Sequence, residues 1–263
     1  MNFVEVNGTS LRCELTGEGA ATLVLIHEMG GTLDSWDQAL PALNNSRQVL
    51  RYDTRGAGLS QKIKGAVSWD QMADDLAGLL DALGITGKVS LAGIAVGAAI
   101  GMHFAVRYPD RAAGLVMHGP ATGASEDRKK ATLERADAVE AGGMASVVET
   151  SLALSYPPVV RYNAEEFRKF RARWLGNDPE SFAAINRMLA NGDITPELAK
   201  ITCPTLVTAG RHDPLRPPSV IEPMARQIPG AQFLELNTGH FASVQTPGLM
   251  AQAIHYFLHA QGQ

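Results

Sequence analysis

The sequence is short of aromatic residues, cysteines and long apolar runs. Aromatic residues make up 6% of its 263 residues, and no apolar run approaches the roughly 18 residues that a membrane-spanning helix needs. We therefore expect no membrane partner. Cys13 and Cys203 stand far apart with no CxxC or Cys/His spacing, which predicts two free thiols and no zinc site.

The chain also lacks an excess of positive charge. Its 23 Lys and Arg residues against 27 Asp and Glu residues give a net charge of -4, with no basic stripe, so no nucleic-acid partner is expected. The first residues, Met1 to Asn7, do not follow the basic and then apolar pattern of a signal peptide, which predicts a cytoplasmic protein.

Strand and helix patterns alternate along most of the chain. Asn7-Gly8 between two alternating segments predicts a hairpin over residues 3–14. From residue 21 onward, apolar runs alternate with amphipathic patterns, which predicts an α/β protein with a doubly wound, mainly parallel sheet. The predicted strands are 21–27, 48–53, one that begins at Lys88, 113–118, 205–209 and 232–236, and the predicted helices that follow them include 68–83, 219–227 and 247–258. Ser68 is the expected N-cap of the first of these helices, and Thr246-Pro247 the expected N-cap and first turn of the last.

A helical block without strands interrupts this alternation. The predicted helices of the block are 126–140, 144–153, 164–175 and 179–190. We expect residues 1–123 and 201–263 to form one core and residues 124–200 to form a helical cap that closes a pocket, since so long an insertion is usually functional. The alternative is that these helices pack beside the sheet.

Gly93-Ile94-Ala95-Val96-Gly97 joins a buried strand directly to a helix. This spacing is typical of a nucleophile elbow, G-x-S-x-G, where a sharp turn presents one strained side chain above the sheet. Here that residue is Ala95, which has no oxygen, sulfur or carboxylate with which to attack a substrate.

Further candidate site residues follow the other predicted strands. Asp213 and His240 come after the elbow in the chain order of a Ser, Asp, His triad, with His240 as general base and Asp213 fixing its tautomer. The N–H groups of Met29 and Val96 are the expected oxyanion hole. His27 and His118 also end strands, and for both we expect core histidines bonded to backbone carbonyls.

Taken together, these motifs resemble those of the α/β-hydrolases over essentially the full length, and most closely the branch containing 3-oxoadipate enol-lactonase. The resemblance implies the α/β-hydrolase fold and hydrolysis of an ester or lactone through an acyl-enzyme, with no metal and no organic cofactor. The residues that carry it are 25–36, 52–60, 175–182, 203–214 and 238–240.

The sequence departs from this family pattern at two positions. Ala95 stands where the family carries its nucleophilic serine, and Glu28 stands where it usually carries glycine. Three interpretations of Ala95 follow: a Ser-to-Ala form of a hydrolase, a native serine-independent hydrolase or lyase, or a pocket that only binds. A buried Glu28 would be a possible acid or base, whereas an exposed Glu28 would face solvent or pair with Arg55 or Arg211.

The expected substrate is a small carbonyl compound: an ester, a lactone or a dicarbonyl. The helical block is rich in cations, and one or two of them would bind a substrate carboxylate if they reach inward. The candidates are Arg128, Lys129, Arg135, Arg161, Arg168, Arg171, Arg173 and Arg187.

Overall fold

Eight strands form one sheet in the computed structural model, which describes residues 2–263. Their order across the sheet is β1-β2-β4-β3-β5-β6-β7-β8, and β2 alone runs in the direction opposite to the other seven strands. The strands are β1 (Asn2–Val6), β2 (Thr9–Thr16), β3 (Thr22–Ile26), β4 (Gln48–Tyr52), β5 (Val89–Ile94), β6 (Ala112–His118), β7 (Thr205–Gly210) and β8 (Gln232–Leu236). The predicted doubly wound, mainly parallel sheet is confirmed.

Ten α-helices accompany the sheet within residues 2–263. Helices α4 to α7 lie between β6 and β7 in the chain with no strand among them, as the sequence predicts. The helices are α1 (Leu40–Leu43), α2 (Trp69–Ala82), α3 (Val96–Arg107), α4 (Glu126–Gly142), α5 (Val148–Ser155), α6 (Ala164–Leu175), α7 (Pro179–Asn191), α8 (Pro218–Ala225), α9 (Ala242–Gln245) and α10 (Pro247–Ala260).

Helices cover both faces of the sheet. Along β5, Leu91 belongs to the apolar cluster that includes α2 and α3, whereas Ala92 belongs to the cluster that includes α10. Successive side chains of a strand point to opposite faces. Because both residues are fully buried, both faces of the sheet are covered at this point. This two-sided burial explains why the central strands are continuous apolar runs.

Several local predictions hold. Asn7 and Gly8 have positive φ angles of 48° and 71° in the β1–β2 turn, as a two-residue hairpin loop requires. The hydroxyl of Ser68 accepts a hydrogen bond from the N–H of Gln71 and caps α2. Cys13 is a buried free thiol and Cys203 is a half-buried one.

Two local predictions need correction. The single helix expected over 144–153 is a 3-10 turn, Met144–Ser146, followed by α5, because Val147 leaves the helical region with φ -125° and ψ -8°. Thr246 precedes α10 but does not cap it, since its hydroxyl donates instead to Thr238 Oγ1 at 2.7 Å. Within residues 2–263, no helix is both long and apolar enough to cross a membrane.

The packing of α3 against β3 yields a stability prediction. A Cβ atom on Gly97 would lie 2.4 Å from the carbonyl oxygen of His27 and 2.5 Å from that of Ile26, and neither backbone atom can move freely. We expect Gly97→Ala to lower the free energy of unfolding by about 1–3 kcal/mol despite the higher helix propensity of alanine. Urea denaturation measures this change.

Gly87→Ala is the matched control, since no heavy atom lies within 4 Å of a Cβ placed there. It should change the free energy of unfolding by no more than about 0.5 kcal/mol. Equal effects of the two substitutions would contradict the close approach of α3 to β3.

Candidate active site

The turn from β5 into α3 places Ala95 in a strained conformation. Its φ of 52° and ψ of -109° are unusual for a residue other than glycine, and such backbone strain costs on the order of 1–3 kcal/mol. The Ala95 N–H donates to the carbonyl of His118 at 2.9 Å, and its carbonyl accepts from Ala121 at 3.2 Å. Backbone hydrogen bonds to residues 118–121, at the end of β6, therefore hold the elbow, although the side chain of Ala95 is only a methyl group.

Asp213 and His240 meet beside this elbow. Asp213 lies in the loop after β7 and His240 in the loop after β8, and the His240 Nδ1–H donates to Asp213 Oδ2 at 2.7 Å. The other carboxylate oxygen, Oδ1, accepts from the N–H groups of Leu215 and Arg216 at 2.8 and 3.0 Å. Burial favours the neutral acid, but the charge and hydrogen bond of His240 outweigh it and hold the pKa of Asp213 below its ordinary value.

His118 supports the His240 loop from inside the sheet. It is fully buried, its Nε2–H donates to the carbonyl of Gly239 at 3.0 Å, and its Nδ1 lies 2.9 Å from Thr208 Oγ1. His27 likewise contacts the backbone, with Nδ1 2.7 Å from the carbonyl of Glu28. The prediction that both are core histidines bonded to carbonyls is confirmed.

The N–H groups of Met29 and Val96 belong to the two segments that flank the elbow. Val96 is the first residue of α3, and Met29 lies in the loop that follows β3. Neither N–H donates a hydrogen bond anywhere in residues 2–263. Two free donors at this edge of the sheet are what an oxyanion hole requires.

The helical segment 124–200 contacts the loop that carries Met29 and holds it in place. The side-chain amide of Asn177 donates to the carbonyl of Gly30 at 2.9 Å. The indole of Trp174 packs so closely on Gly30 that a Cβ there would lie 2.2 Å from its Nε1. The backbone of this loop thus depends on contacts from distant chain.

Glu28 is fully buried. Its Oε1 accepts from the hydroxyl of Ser35 at 2.7 Å, and its Oε2 has no partner within residues 2–263. The alternative of an exposed or ion-paired Glu28 is wrong, because Arg55 pairs with Asp75 and Arg211 with Glu235. Glu28 lies behind the loop and is not among the residues that line the cavity.

A cavity of about 690 Å³ opens above the elbow. Its size falls in the range of small-molecule sites. Ala95, His240, Met29 and Val96 all contribute to its wall, so four of the candidate residues face one space. Residues from α4 and α5 line the opposite side, among them Ala131, Ala138, Thr150 and Leu154.

Three arginines line this cavity, and two of them are among the eight cations singled out from the sequence. Arg128 and Arg135 reach the wall from α4, and Arg216 reaches it from the loop that carries Asp213. None of the three guanidinium groups forms an ion pair with a carboxylate in residues 2–263. Burial, followed by the like charge of Arg128, lowers the pKa of Arg216 to about 10.

The sequence analysis missed Arg216. Its position three residues after Asp213, in the loop that follows a strand, was a signal that could have placed it at the site. The other cations point elsewhere. Arg171 pairs with Glu149, Arg187 pairs with Asp137 and Glu140, and Arg161 stacks on Phe167 with 3.8 Å between Cζ and the ring centroid. Lys129, Arg168 and Arg173 are also absent from the cavity wall.

Comparison with known proteins shows which sequences share this arrangement. A family model, Hydrolase_4, described as "Serine aminopeptidase, S33", matches residues 17–237. The 3-oxoadipate enol-lactonase 1 of Acinetobacter baylyi is 28% identical over 254 residues, which cover 95% of this chain and 94% of that protein. The similarity to the enol-lactonase branch is confirmed.

Solved structures share the same architecture. An esterase from Thermogutta terrifontis, solved with malate bound, superimposes with a TM-score of 0.92 at 32% identity and covers 100% of both chains. The enol-lactonase from Burkholderia xenovorans LB400 gives a TM-score of 0.91 at 27% identity, covering 98% of this chain and 100% of that one. The α/β-hydrolase fold expected from the sequence is confirmed, and these relatives are hydrolases.

The burial of His118 leads to a pH prediction. Burial lowers its pKa to about 4 in the folded protein, below the value of about 6.5 for an unfolded chain. The unfolded chain therefore takes up a proton first, and this contribution to stability is lost as the pH falls from about 6.5 toward 4. Between pH 7 and pH 5 we expect His118 to account for about 2 kcal/mol of the decrease in the free energy of unfolding.

Urea titrations at the two pH values measure this contribution in the unmodified protein and in His118→Gln. The variant should lose about 2 kcal/mol less than the unmodified protein, whereas His255→Gln, which changes an exposed histidine, should lose the same amount. An undiminished pH dependence in His118→Gln would show that His118 does not carry the effect.

Proposed function

Because the chain belongs to the α/β-hydrolase family Hydrolase_4, we propose that it hydrolyses a small carboxylated ester or lactone with water as the nucleophile. The observation that carries the proposal is the 2.7 Å hydrogen bond between His240 and Asp213, on a cavity wall that His240 shares with Ala95. The acid and base of a triad are thus present at an elbow that has no nucleophilic atom.

The mechanism assigns each step to a residue. The hydrogen bond to Asp213 fixes His240 with Nδ1 protonated, which leaves Nε2 free to accept a proton. Nε2 takes that proton from water as the water oxygen attacks the carbonyl carbon. The N–H groups of Met29 and Val96 stabilise the oxyanion that forms, and His240 returns its proton to the leaving oxygen. The products are a carboxylic acid and an alcohol or, from a lactone, one hydroxy acid.

Arg128 and Arg216 support a carboxylated substrate. Arg216 Nη1 donates to the carbonyl of Gly123 at 3.3 Å and Arg128 Nη1 donates to the carbonyl of Leu215, so both guanidinium groups are oriented beside the loop of Asp213. Two neighbouring guanidinium groups that form no ion pair within residues 2–263 favour an anionic ligand, because a bound carboxylate relieves their repulsion. The malate in the Thermogutta terrifontis esterase is also a small carboxylate.

Residues 124–200 act as a cap in this proposal. They supply Arg128 to the cavity wall and, through Asn177 and Trp174, hold the loop of Met29. The cap therefore both binds the substrate and positions one donor of the oxyanion hole.

Substituting the base tests the mechanism. We expect His240→Ala to reduce kcat by about 10²- to 10⁴-fold, the usual contribution of general base catalysis, and Asp213→Asn to reduce it comparably because the tautomer is no longer fixed. Steady-state hydrolysis of carboxylated esters and enol-lactones measures both effects. His255→Ala, a change at the exposed face of α10, is the matched control.

Ala95→Ser separates the three interpretations of the elbow. The proposal expects the unmodified chain to turn over substrate and mass spectrometry to detect no covalent acyl-enzyme in it. If only Ala95→Ser is active and forms an acyl-enzyme, the chain is a Ser-to-Ala form of a serine hydrolase and the water route is wrong. Ligand binding with no product from either protein would identify a binding module.

Arg216→Gln tests the class of substrate. We expect KM for a carboxylated ester to rise roughly 10-fold, the equivalent of one lost charged hydrogen bond, and KM for an uncharged methyl ester to stay the same. Arg211→Gln in the same loop is the control, because Arg211 is exposed and pairs with Glu235. Equal changes for charged and uncharged esters would rule out a carboxylate contact.

A further inference from the structure

Arg135 lines the same cavity as Arg128 but at a different place along α4. The two residues are seven positions apart, so they lie on the same face of the helix with about 10.5 Å of rise between their Cα atoms. Arg128 is bonded to the loop of Asp213, whereas the Arg135 Nε–H donates to the side-chain oxygen of Asn186 on α7 at 2.8 Å. The two guanidinium groups are therefore anchored to separate elements.

The guanidinium of Arg135 has donors without protein acceptors. Only its Nε–H makes a hydrogen bond within residues 2–263, and both terminal nitrogens make none. Asn186 is fully buried, and its amide donates to the carbonyl of Phe182 at 2.8 Å, which fixes the oxygen that orients Arg135. A half-buried cation oriented in this way presents its terminal N–H groups for a second interaction.

No acidic side chain compensates this charge. Glu134 also lines the cavity, but its carboxylate is mostly exposed and lies 4.0 Å from Lys130. Burial lowers the pKa of Arg135, as expected of a cation with no counter-ion. An unpaired charge in a cavity wall is unfavourable until an anion binds there.

We propose that Arg135 forms a second anion subsite, so that the substrate carries two carboxylates, one held by Arg128 and Arg216 and the other by Arg135 and oriented through Asn186. This inference rests on the proposed function and narrows its substrate class to dianionic esters or lactones. The reacting carbonyl lies at the His240 end, and Arg135 receives the distal carboxylate.

Binding of unreactive α,ω-dicarboxylates tests the subsite without hydrolysis. Calorimetry with succinate, adipate, suberate and sebacate should show affinity passing through a maximum with chain length, and the monocarboxylate of the best length should bind roughly 10-fold more weakly. Arg135→Gln should weaken the best dicarboxylate roughly 10-fold and leave the monocarboxylate unchanged. Arg168→Gln, an exposed position on α6 outside the cavity, is the control.

Two further variants keep the test decisive if Arg135→Gln does not fold. Arg135→Lys retains the charge and should retain most of the preference for dicarboxylates. Asn186→Asp places a carboxylate beside Arg135 and should abolish that preference. Melting temperatures report whether each variant is folded.

Several outcomes would overturn the subsite: equal affinity for monocarboxylates and dicarboxylates, no binding of any dicarboxylate, or equal weakening of both ligand classes by Arg135→Gln. No hydrolysis by the unmodified protein, or an undiminished rate in His240→Ala, together with an intact dicarboxylate preference would refute the proposed function alone. Intact hydrolysis without that preference would refute only the subsite.

Discussion

The close approach of α3 to the end of β3 is the constraint on which the rest of the site depends. With no Cβ at Gly97, the first turn of α3 packs directly on the carbonyls of Ile26 and His27. This contact brings the N–H of Val96 and the loop of Met29 to the same edge of the sheet. It also holds Ala95 at a positive φ, because the chain has to turn from strand to helix within one residue.

This geometry persists although the side chain at the elbow has no reactive atom. A strained backbone conformation such as that of Ala95 persists only where the surrounding structure holds it. The hydrogen bond between Asp213 and His240, the free N–H groups and the cavity are all present around the elbow. Glu28 is the second departure from the family pattern, and it accepts a hydrogen bond from Ser35 behind the loop of Met29.

The three arginines of the cavity wall come from two parts of the chain that are distant in sequence. Arg216 belongs to the sheet core, and Arg128 and Arg135 belong to the helical segment. A ligand that binds between them would link the core to this segment. The same helical segment fastens Gly30 through Asn177, so substrate binding and the position of the Met29 N–H share one scaffold.

Most of the secondary structure could be predicted from the sequence, because local patterns determine it. Apolar runs, the Asn7-Gly8 turn, the Ser68 cap and the glycines of the elbow act within a few residues, and they predicted the sheet, most helices and the order of Asp213 and His240. The prediction of a single helix over 144–153 was wrong, because the break at Val147 is a backbone feature that the spacing of apolar residues does not indicate.

Tertiary structure alone decided which side chains face the cavity. In the sequence, the eight cations of the helical block were equivalent candidates. The packing of α4 against α7 and against the loop of Asp213 turns Arg128 and Arg135 toward the cavity, and that loop contributes Arg216 to the cavity wall. The burial of Glu28 likewise could not be predicted from the sequence, since it depends on Ser35 and on the loop that folds over Glu28. The sequence by itself determined which elements form and in what order; the direction of a long side chain depends on neighbours that only the folded chain brings together.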